Sequence, residues 1–188
     1  ARVYESALAA SRSAPADDYC ELRATVGEWL GCPGHGVIPA CGGRQALRLA
    51  LGTTLAAGDE VLLPRPTHPR YAHEVRLHGG QPRYVAADSL IDVDPETVAA
   101  VLVGTPDPAT GAHPGASPLR RFATRCAEAD ATLVVDESLR GYVGTPSLAG
   151  APAAVVVASF GHLFGLPGLP VGVAVAGGRV RDRLDAAR

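Results

Sequence analysis

The acid–base groups of this chain stand directly after short apolar runs. Asp136 and Glu137 follow the run ATLVV, and His162 comes one glycine after AAVVVASF. An imidazole exchanges protons near neutral pH, and a carboxylate near it can orient the ring or stabilise a developing positive charge. We therefore predict proton-transfer chemistry that uses His162 and one carboxylate. Because side chains alternate along a strand, only one of Asp136 and Glu137 should face the same pocket.

Further polar residues follow the other apolar runs. Arg44 comes after GVIPA and a Gly-Gly pair, and His68 comes shortly after EVLLP. Asp107 and Thr110 follow AAVLVG, and Ser159 ends AAVVVAS. In a parallel α/β sheet a ligand lies outside the carboxyl ends of the strands. We therefore expect these side chains to gather in one pocket and contact a substrate.

Alternating strands and helices are needed to position these residues. The residue spacing predicts helices over 17–30, 44–56, 67–80, 117–129 and 179–188. The runs between them predict seven strands: GVIPA, EVLLP, PRYVAA, AAVLVGTP, ATLVVDE, AAVVVASF and VGVAVAG. The apolar runs lack period-two alternation, which favours strands buried on both faces. The expected fold is α/β, a three-layer sandwich with a mostly parallel seven-stranded sheet.

Composition sets the expected organisation and surroundings. We expect one domain over 17–188, preceded by a flexible arm over 1–16 that is rich in Ala and Ser. The formal charge of −2 gives no electrostatic reason to expect nucleic acid or a membrane as partner. No apolar run approaches the roughly 20 residues that span a bilayer, and no signal peptide is visible, so we expect a cytoplasmic protein. The four cysteines form no Cys-x-x-Cys pair, and no metal site is expected.

Four strings of the sequence occur in the order and near the spacing known from one family. They are GDEVLLPRPTHPRY, TPDPATG, VVDESLRGY and SFGHLFGLPGLPVG. They resemble G-D-E-V-L-x-x-x-P-x-Y-x-x-Y, N-P-x-N-P-T-G, V-x-D-E-x-Y and S-F-S-K-x-F-G-L-P-G-L-R-x-G of the class I/II (fold type I) pyridoxal-phosphate (PLP) aminotransferases. The resemblance implies the large domain of that family without its small C-terminal domain. It also implies a homodimer.

The resemblance carries over some contacts to the cofactor. Asp136 is similar to the aspartate that pairs with the pyridine nitrogen, which makes it the expected catalytic partner of His162 and leaves Glu137 as a candidate substrate contact. Tyr71 is similar to a tyrosine that reaches the partner subunit's phosphate, and here it is expected to line the site. The retained phosphate contacts implied by the resemblance are Ser159 and the amides of Gly42, Gly43 and Arg44.

Other family contacts are replaced in this sequence. The chain has no lysine, and the resemblance places His162 where the family has its Schiff-base lysine. The arginine that closes the phosphate cup has become Pro170, and the aromatic residue that covers the ring has become His68. The asparagine and tyrosine that hold the ring hydroxyl have become Pro108 and Leu139. We expect no bound cofactor, so the remaining phosphate contacts would be vestigial.

Three functions remain open from the sequence. The first is an aminotransferase-fold enzyme that has lost transamination and performs cofactor-independent acid–base chemistry: cyclisation, dehydration, isomerisation or elimination. Its substrate would be a small or carrier-bound molecule of specialised metabolism, with His162 as acid or base. The second is a dehydratase-like enzyme that binds pyridoxamine phosphate or PLP non-covalently and uses His162 as base. The third is a non-catalytic pseudo-aminotransferase that acts as partner or scaffold, in which His162 is a tolerated replacement.

Overall fold

Strands and helices alternate along most of the chain. The computed structural model describes residues 2–10, 12–13 and 18–187. Within these ranges the helices are α1 Arg2–Ala10, α2 Cys20–Leu30, α3 Gly42–Thr54, α4 Pro69–Leu77, α5 Ala116–Glu128 and α6 Gly178–Ala186. The strands in the same ranges are β1 Val37–Cys41, β2 Glu60–Arg65, β3 Gln81–Ala86, β4 Ala100–Gly104, β5 Thr132–Asp136, β6 Ala154–Ser159 and β7 Val171–Val175.

The strands form one mostly parallel sheet. In the described part of the chain it has seven strands in the order β1-β7-β6-β5-β4-β2-β3. Strand β7 runs antiparallel to both of its neighbours, and every other pair is parallel. The predicted α/β class with a mostly parallel sheet is confirmed. The carboxyl ends of β2, β4, β5 and β6 therefore meet at one edge.

Apolar side chains bury both faces of the sheet. On β4, Val101 and Val103 belong to a core with Phe122 of α5, whereas Leu102 belongs to a second core with Leu51 of α3. All five are at most 3% exposed. Each fully buried side chain of this size contributes about 1.5–3 kcal/mol. Burial on both faces explains the continuous apolar runs and produces the three layers.

Each predicted helix start differs from the observed one by one to three residues, and two of these shifts have a clear local cause. The helix expected from Asp17 begins at Cys20, after Tyr19 in a left-handed conformation with φ of 50°. Asp17 itself lies outside the described residues. The expected cap Ser117 lies inside α5, because the chain enters that helix through Gly115, whose φ of 86° suits glycine.

The predicted arm is only partly described. Residues 2–10 form α1, and side chains 5–9 of that helix are exposed. Residues 1, 11 and 14–16 of the arm lie outside the described residues, so its flexibility stays a prediction. Among the helices of the described ranges, none is both long and apolar enough to cross a membrane.

A close backbone approach fixes the start of α3 against the sheet. A Cβ atom on Gly172 of β7 would lie 2.4 Å from the carbonyl carbon of Gly42 and 2.8 Å from the oxygen of Ala158. These distances are shorter than real Cβ contacts, and the nearest atoms are backbone. Glycine at 172 therefore allows the first turn of α3 to lie directly over β7.

We expect Gly172→Ala to destabilise the fold by about 2 kcal/mol, because the added methyl forces the backbone of α3 and of β6 away from β7. The measurement is the free energy of unfolding in urea. The matched control is Gly168→Ala, where a Cβ would meet nothing within 4 Å. That variant should change stability by less than about 0.5 kcal/mol. Equal losses in the two variants would contradict the close approach.

Candidate functional site

A cavity of about 350 Å³ opens at the carboxyl edge of the sheet. It lies between the ends of β5 and β6 and the first turns of α3 and α4. Seven of the residues expected from the sequence line it: His162, Asp136, His68, Arg44, Ser159, Tyr71 and Gly43. The cavity therefore brings together groups from four separate segments of the chain.

Asp136 ends β5 and is held by two donors. The Tyr71 hydroxyl donates to its Oδ2 at 3.0 Å, and the Ser138 backbone N–H donates to its Oδ1 at 3.0 Å. Within the described residues, Asp136 has no hydrogen bond to His162, so it does not orient that ring directly. The carboxylate is instead fixed from α4 and from its own strand end.

Tyr71 lines the cavity with a side chain that is largely buried. Its side chain is 2% exposed and packs in the core between α4 and the sheet. Burial, and then the negative charge of Asp136, raise the pKa of Tyr71 well above its ordinary 10.0. The phenol therefore stays protonated at neutral pH and donates to Asp136.

Gly104, at the end of β4, makes room for that hydrogen bond. It pairs with Asp136 across the sheet. A Cβ on Gly104 would lie 2.7 Å from the Tyr71 hydroxyl oxygen and 2.7 Å from Cδ of Pro108. The phenol oxygen thus takes the space that any larger residue would fill. The absence of a side chain at 104 is what lets Tyr71 reach the neighbouring strand end.

His162 sits in a turn that is anchored on both sides. Leu163 packs closely against the Cα of Gly141, where no Cβ could fit. The ring of Phe160 meets Trp29 edge-on, with centroids 5.4 Å apart. The imidazole of His162 is exposed at the cavity and, in the described part of the chain, makes no hydrogen bond. A fixed backbone thus carries an imidazole that is accessible to a ligand.

The N-terminus of α3 forms the part of the cavity wall that is suited to binding an anion. A Cβ on Gly43 would lie 3.0 Å from Cβ of Ser159 and 3.3 Å from Oγ of Ser138, so both serines close on the first turn of the helix. Free backbone N–H groups and the helix dipole favour negative charge at this position. Two hydroxyls and a helix start suit a phosphate or a carboxylate.

His68 is the N-cap of α4. Its Nδ1 accepts a hydrogen bond from the backbone N–H of Arg70 at 3.1 Å. An accepting Nδ1 assigns the proton of the neutral ring to Nε2. The ring lies 6.1 Å from that of Tyr71, at an angle of 53°. His68 therefore lines the cavity and starts a helix at the same time, a role that the sequence interpretation did not include.

Asp107 and Thr110, expected in the same pocket, line a neighbouring cavity of about 360 Å³. Asp107 accepts hydrogen bonds from the Thr67 hydroxyl at 2.6 Å and from the backbone N–H of Ala109 at 2.9 Å and of Thr110 at 3.0 Å. It is 5% exposed. Its carboxylate shapes the loop after β4 rather than facing His162.

Glu137, the other expected substrate contact, points away from the cavity. It is 1% exposed, and it accepts hydrogen bonds from the Ser147 hydroxyl at 2.7 Å and from the Leu148 backbone N–H at 2.6 Å. Alternation along the strand sends Asp136 to one side and Glu137 to the other. The second carboxylate fastens the loop around 147–148 to the end of β5.

The sequence interpretation missed two polar lining residues, Ser138 and Arg70. Ser138 stands two positions after Asp136, so strand alternation could have placed it on the same side. Arg70 lies in the first turn of α4. No sequence signal marked it, because its position depends on how that helix lies over the sheet.

The lining residues suit only part of the family's cofactor. Ser138, Ser159 and the start of α3 fit a phosphate group. The covalent attachment does not fit, because the chain contains no lysine and His162 faces the cavity instead. Pro108 and Leu139 line the wall without a polar side-chain atom. The described residues also contain no group of three or more His, Cys, Asp or Glu able to hold a metal ion.

We expect Tyr71→Phe to lower the free energy of unfolding by about 1–2 kcal/mol, because Asp136 loses its side-chain donor. Urea unfolding measures the change. Tyr142→Phe is the matched control, since Tyr142 is 60% exposed and should tolerate the loss of its hydroxyl within about 0.5 kcal/mol. Unchanged stability of Tyr71→Phe would count against the Tyr71–Asp136 hydrogen bond.

We expect the stability of wild type relative to Glu137→Gln to fall as the pH rises. Burial raises the pKa of Glu137 above 4.5, although its bonds from Leu148 and Ser147 favour the charged form. The protonated carboxyl therefore contributes stability below about pH 4.5 that is lost as the pH rises through the raised pKa. Urea unfolding over a pH series tests this. A difference that stays constant with pH would contradict it.

Sequence comparison identifies the family. A model of aminotransferase class I and II matches residues 10–188. Histidinol-phosphate aminotransferase of Roseobacter denitrificans is 32% identical, covering 100% of this chain and 55% of the relative. The chain spans about half the length of the curated relatives it matches.

Solved structures agree with that assignment. Aspartate aminotransferase from Thermus thermophilus with maleate has a TM-score of 0.81 and 26% identity, covering 97% of this chain and 54% of that one. Histidinol-phosphate aminotransferase from Sinorhizobium meliloti, in complex with pyridoxal-5'-phosphate, has a TM-score of 0.83 and 21% identity, covering 98% and 54%. The predicted large-domain fold is confirmed. The chain belongs to the class I and II aminotransferase family.

Proposed function

We propose that this cavity performs acid–base chemistry on a small molecule without forming a Schiff base. The observation that carries the proposal is that His162 and Asp136 line one cavity in a chain that has no lysine to form that base. The exposed imidazole is the group able to take a proton from a substrate carbon or oxygen and return it elsewhere. Cyclisation, dehydration, isomerisation and elimination can each be catalysed by such proton transfers, which in dehydration and elimination remove a proton from carbon and protonate the leaving group.

Asp136 supplies a fixed negative charge for the reaction. Tyr71 and the Ser138 N–H hold its two oxygens, so the carboxylate keeps its position as a ligand binds. A positive charge or an N–H group of the substrate would be stabilised there. A preorganised charge contributes more than a mobile one, because it needs no reorganisation when the substrate's charge develops.

A second candidate function is non-covalent binding of pyridoxamine phosphate or PLP, with His162 as base. The phosphate-compatible end at Gly43, Ser138 and Ser159 favours it. Against tight binding stands the loss of polar contacts at Pro108, Leu139 and Pro170. Charge-assisted hydrogen bonds contribute about 1.5–3 kcal/mol each, so their removal lowers affinity strongly.

Titration of the purified chain with PLP and with pyridoxamine phosphate separates the two candidates. Calorimetry and visible absorbance report the binding. The leading proposal predicts a Kd no lower than about 1 mM for either compound, which corresponds to a binding free energy of about −4 kcal/mol. Submicromolar binding of either compound would replace the leading proposal by the second.

Proton transfer is tested separately from cofactor binding. The purified chain is incubated in D₂O with small phosphorylated ketones, beginning with dihydroxyacetone phosphate, and NMR follows the loss of C–H signals. His162→Ala should slow the exchange by about 10²–10⁴-fold, whereas His73→Ala, which changes an exposed histidine of α4 outside the cavity, should not. Equal rates in wild type and His162→Ala would remove the acid–base role. If the wild type shows neither proton exchange nor cofactor binding, the result would favour the third function, a non-catalytic partner or scaffold.

A further inference from the structure

Two arginines lie on the helix side of the cavity. Arg44 comes from the first turn of α3 and Arg70 from the first turn of α4. Among the described lining residues they carry the full positive charges, and Asp136 carries the negative one. The charge at this side of the cavity is therefore positive, with the acid at the end of β5.

A buried carboxylate positions one of these arginines. Glu74 of α4 is 0% exposed, and its Oε1 accepts a hydrogen bond from Nε of Arg44 at 2.8 Å. Its Oε2 accepts one from Nε of Arg48, also at 2.8 Å. Burial alone would raise the pKa of Glu74, but the bonds from Arg48 and Arg44 outweigh it and lower that pKa. Two guanidinium groups thus meet one ionised carboxylate, which leaves an excess positive charge.

The bond to Glu74 uses only the Nε of Arg44. Its two terminal NH₂ groups have no protein partner among the described residues, and the side chain lines the cavity. A guanidinium held through Nε presents those groups as a planar fork, which matches the oxygens of a phosphate or carboxylate. Holding the guanidinium in advance reduces the entropy lost when an anion binds.

We propose that Arg44 and Arg70 form an anion clamp that selects substrates bearing a phosphate or carboxylate, with Glu74 as the positioning residue. This inference rests on the proposed function, since it names the substrate class of the same cavity. The clamp holds the anionic group on the α3–α4 side. The reacting part of the substrate then extends toward Asp136 and His162.

Arg48 provides a matched control for Arg44. Both residues lie on α3, and both donate a hydrogen bond from Nε to Glu74 at 2.8 Å. The side chain of Arg48 is 43% exposed and that of Arg44 is 54% exposed. Arg44 lines the cavity, whereas Arg48 does not. Replacing either by Gln removes one charge and one partner of Glu74. The two variants should therefore lose similar thermal stability and differ only in ligand binding.

The experiment is calorimetric titration of the purified chain with inorganic phosphate and, separately, with malonate at low ionic strength. Arg44→Gln should weaken binding of the preferred anion about tenfold or more, while Arg48→Gln should stay within about twofold of wild type. Tighter binding of phosphate identifies a phosphate-bearing substrate, and tighter binding of malonate a carboxylate-bearing one. Equal weakening in the two variants, or no anion binding by wild type, would overturn the clamp.

A second variant, Arg70→Gln, tests the clamp independently in case Arg44→Gln does not fold. Arg70→Gln removes no ion pair within the described part of the chain and should also weaken anion binding, whereas Arg76→Gln, farther along α4 and outside the cavity, should not. Unchanged binding in Arg70→Gln would likewise overturn the clamp.

His162→Ala should retain anion affinity. Equal proton exchange in wild type and His162→Ala, with anion binding retained in both, would therefore refute the proposed function and leave the clamp standing.

Discussion

A parallel sheet that is covered on both faces leaves its strands little place for polar side chains except at their ends. On β4 the residues from Ala100 to Gly104 are all buried, and the chain becomes polar only beyond Gly104. Burying a polar group without a partner costs several kcal/mol, so the interior of these strands excludes such groups. The chemistry of the chain is thereby confined to one edge, where parallel strands end together.

Three glycines then set how closely the surrounding elements approach that edge. Gly172 lets the start of α3 lie over β7, Gly43 lets Ser159 and Ser138 close on that helix, and Gly104 admits the Tyr71 hydroxyl. In each case a Cβ would meet a neighbouring atom at 3.0 Å or less. The cavity's shape therefore depends on missing side chains as much as on the polar groups that line it. A larger residue at any of these positions would move an element, and not merely fill a space.

Three carboxylates near the site meet different environments, and their roles differ accordingly. Asp136 takes its bonds from Tyr71 and a backbone N–H and remains accessible from the cavity. Glu137, its neighbour in sequence, is fully enclosed with Ser147 and Leu148. Glu74 is buried and accepts hydrogen bonds from Arg44 and Arg48. Environment, and not residue type, distinguishes the candidate catalytic group from the two structural ones.

The sequence by itself determined the fold class and the candidate pair at the strand ends. Continuous apolar runs indicate doubly buried strands, and polar residues such as Asp136 and His162 follow those runs. The absence of lysine likewise required no structure, because it excludes one covalent bond. Alternation also points to Ser138, which stands two positions after Asp136. These properties are local, so they can be interpreted from neighbouring residues alone.

Only the tertiary structure decided which distant groups meet. That Tyr71 donates to Asp136 across a gap left by Gly104 depends on how α4 packs over the sheet. The same packing brings Glu74 under Arg44, 30 positions away in the chain. The tertiary structure also places Asp107 in the cavity next to the one that His162 lines. Such pairings depend on helix rotation and side-chain direction, which burial of the whole core fixes and which no local pattern encodes.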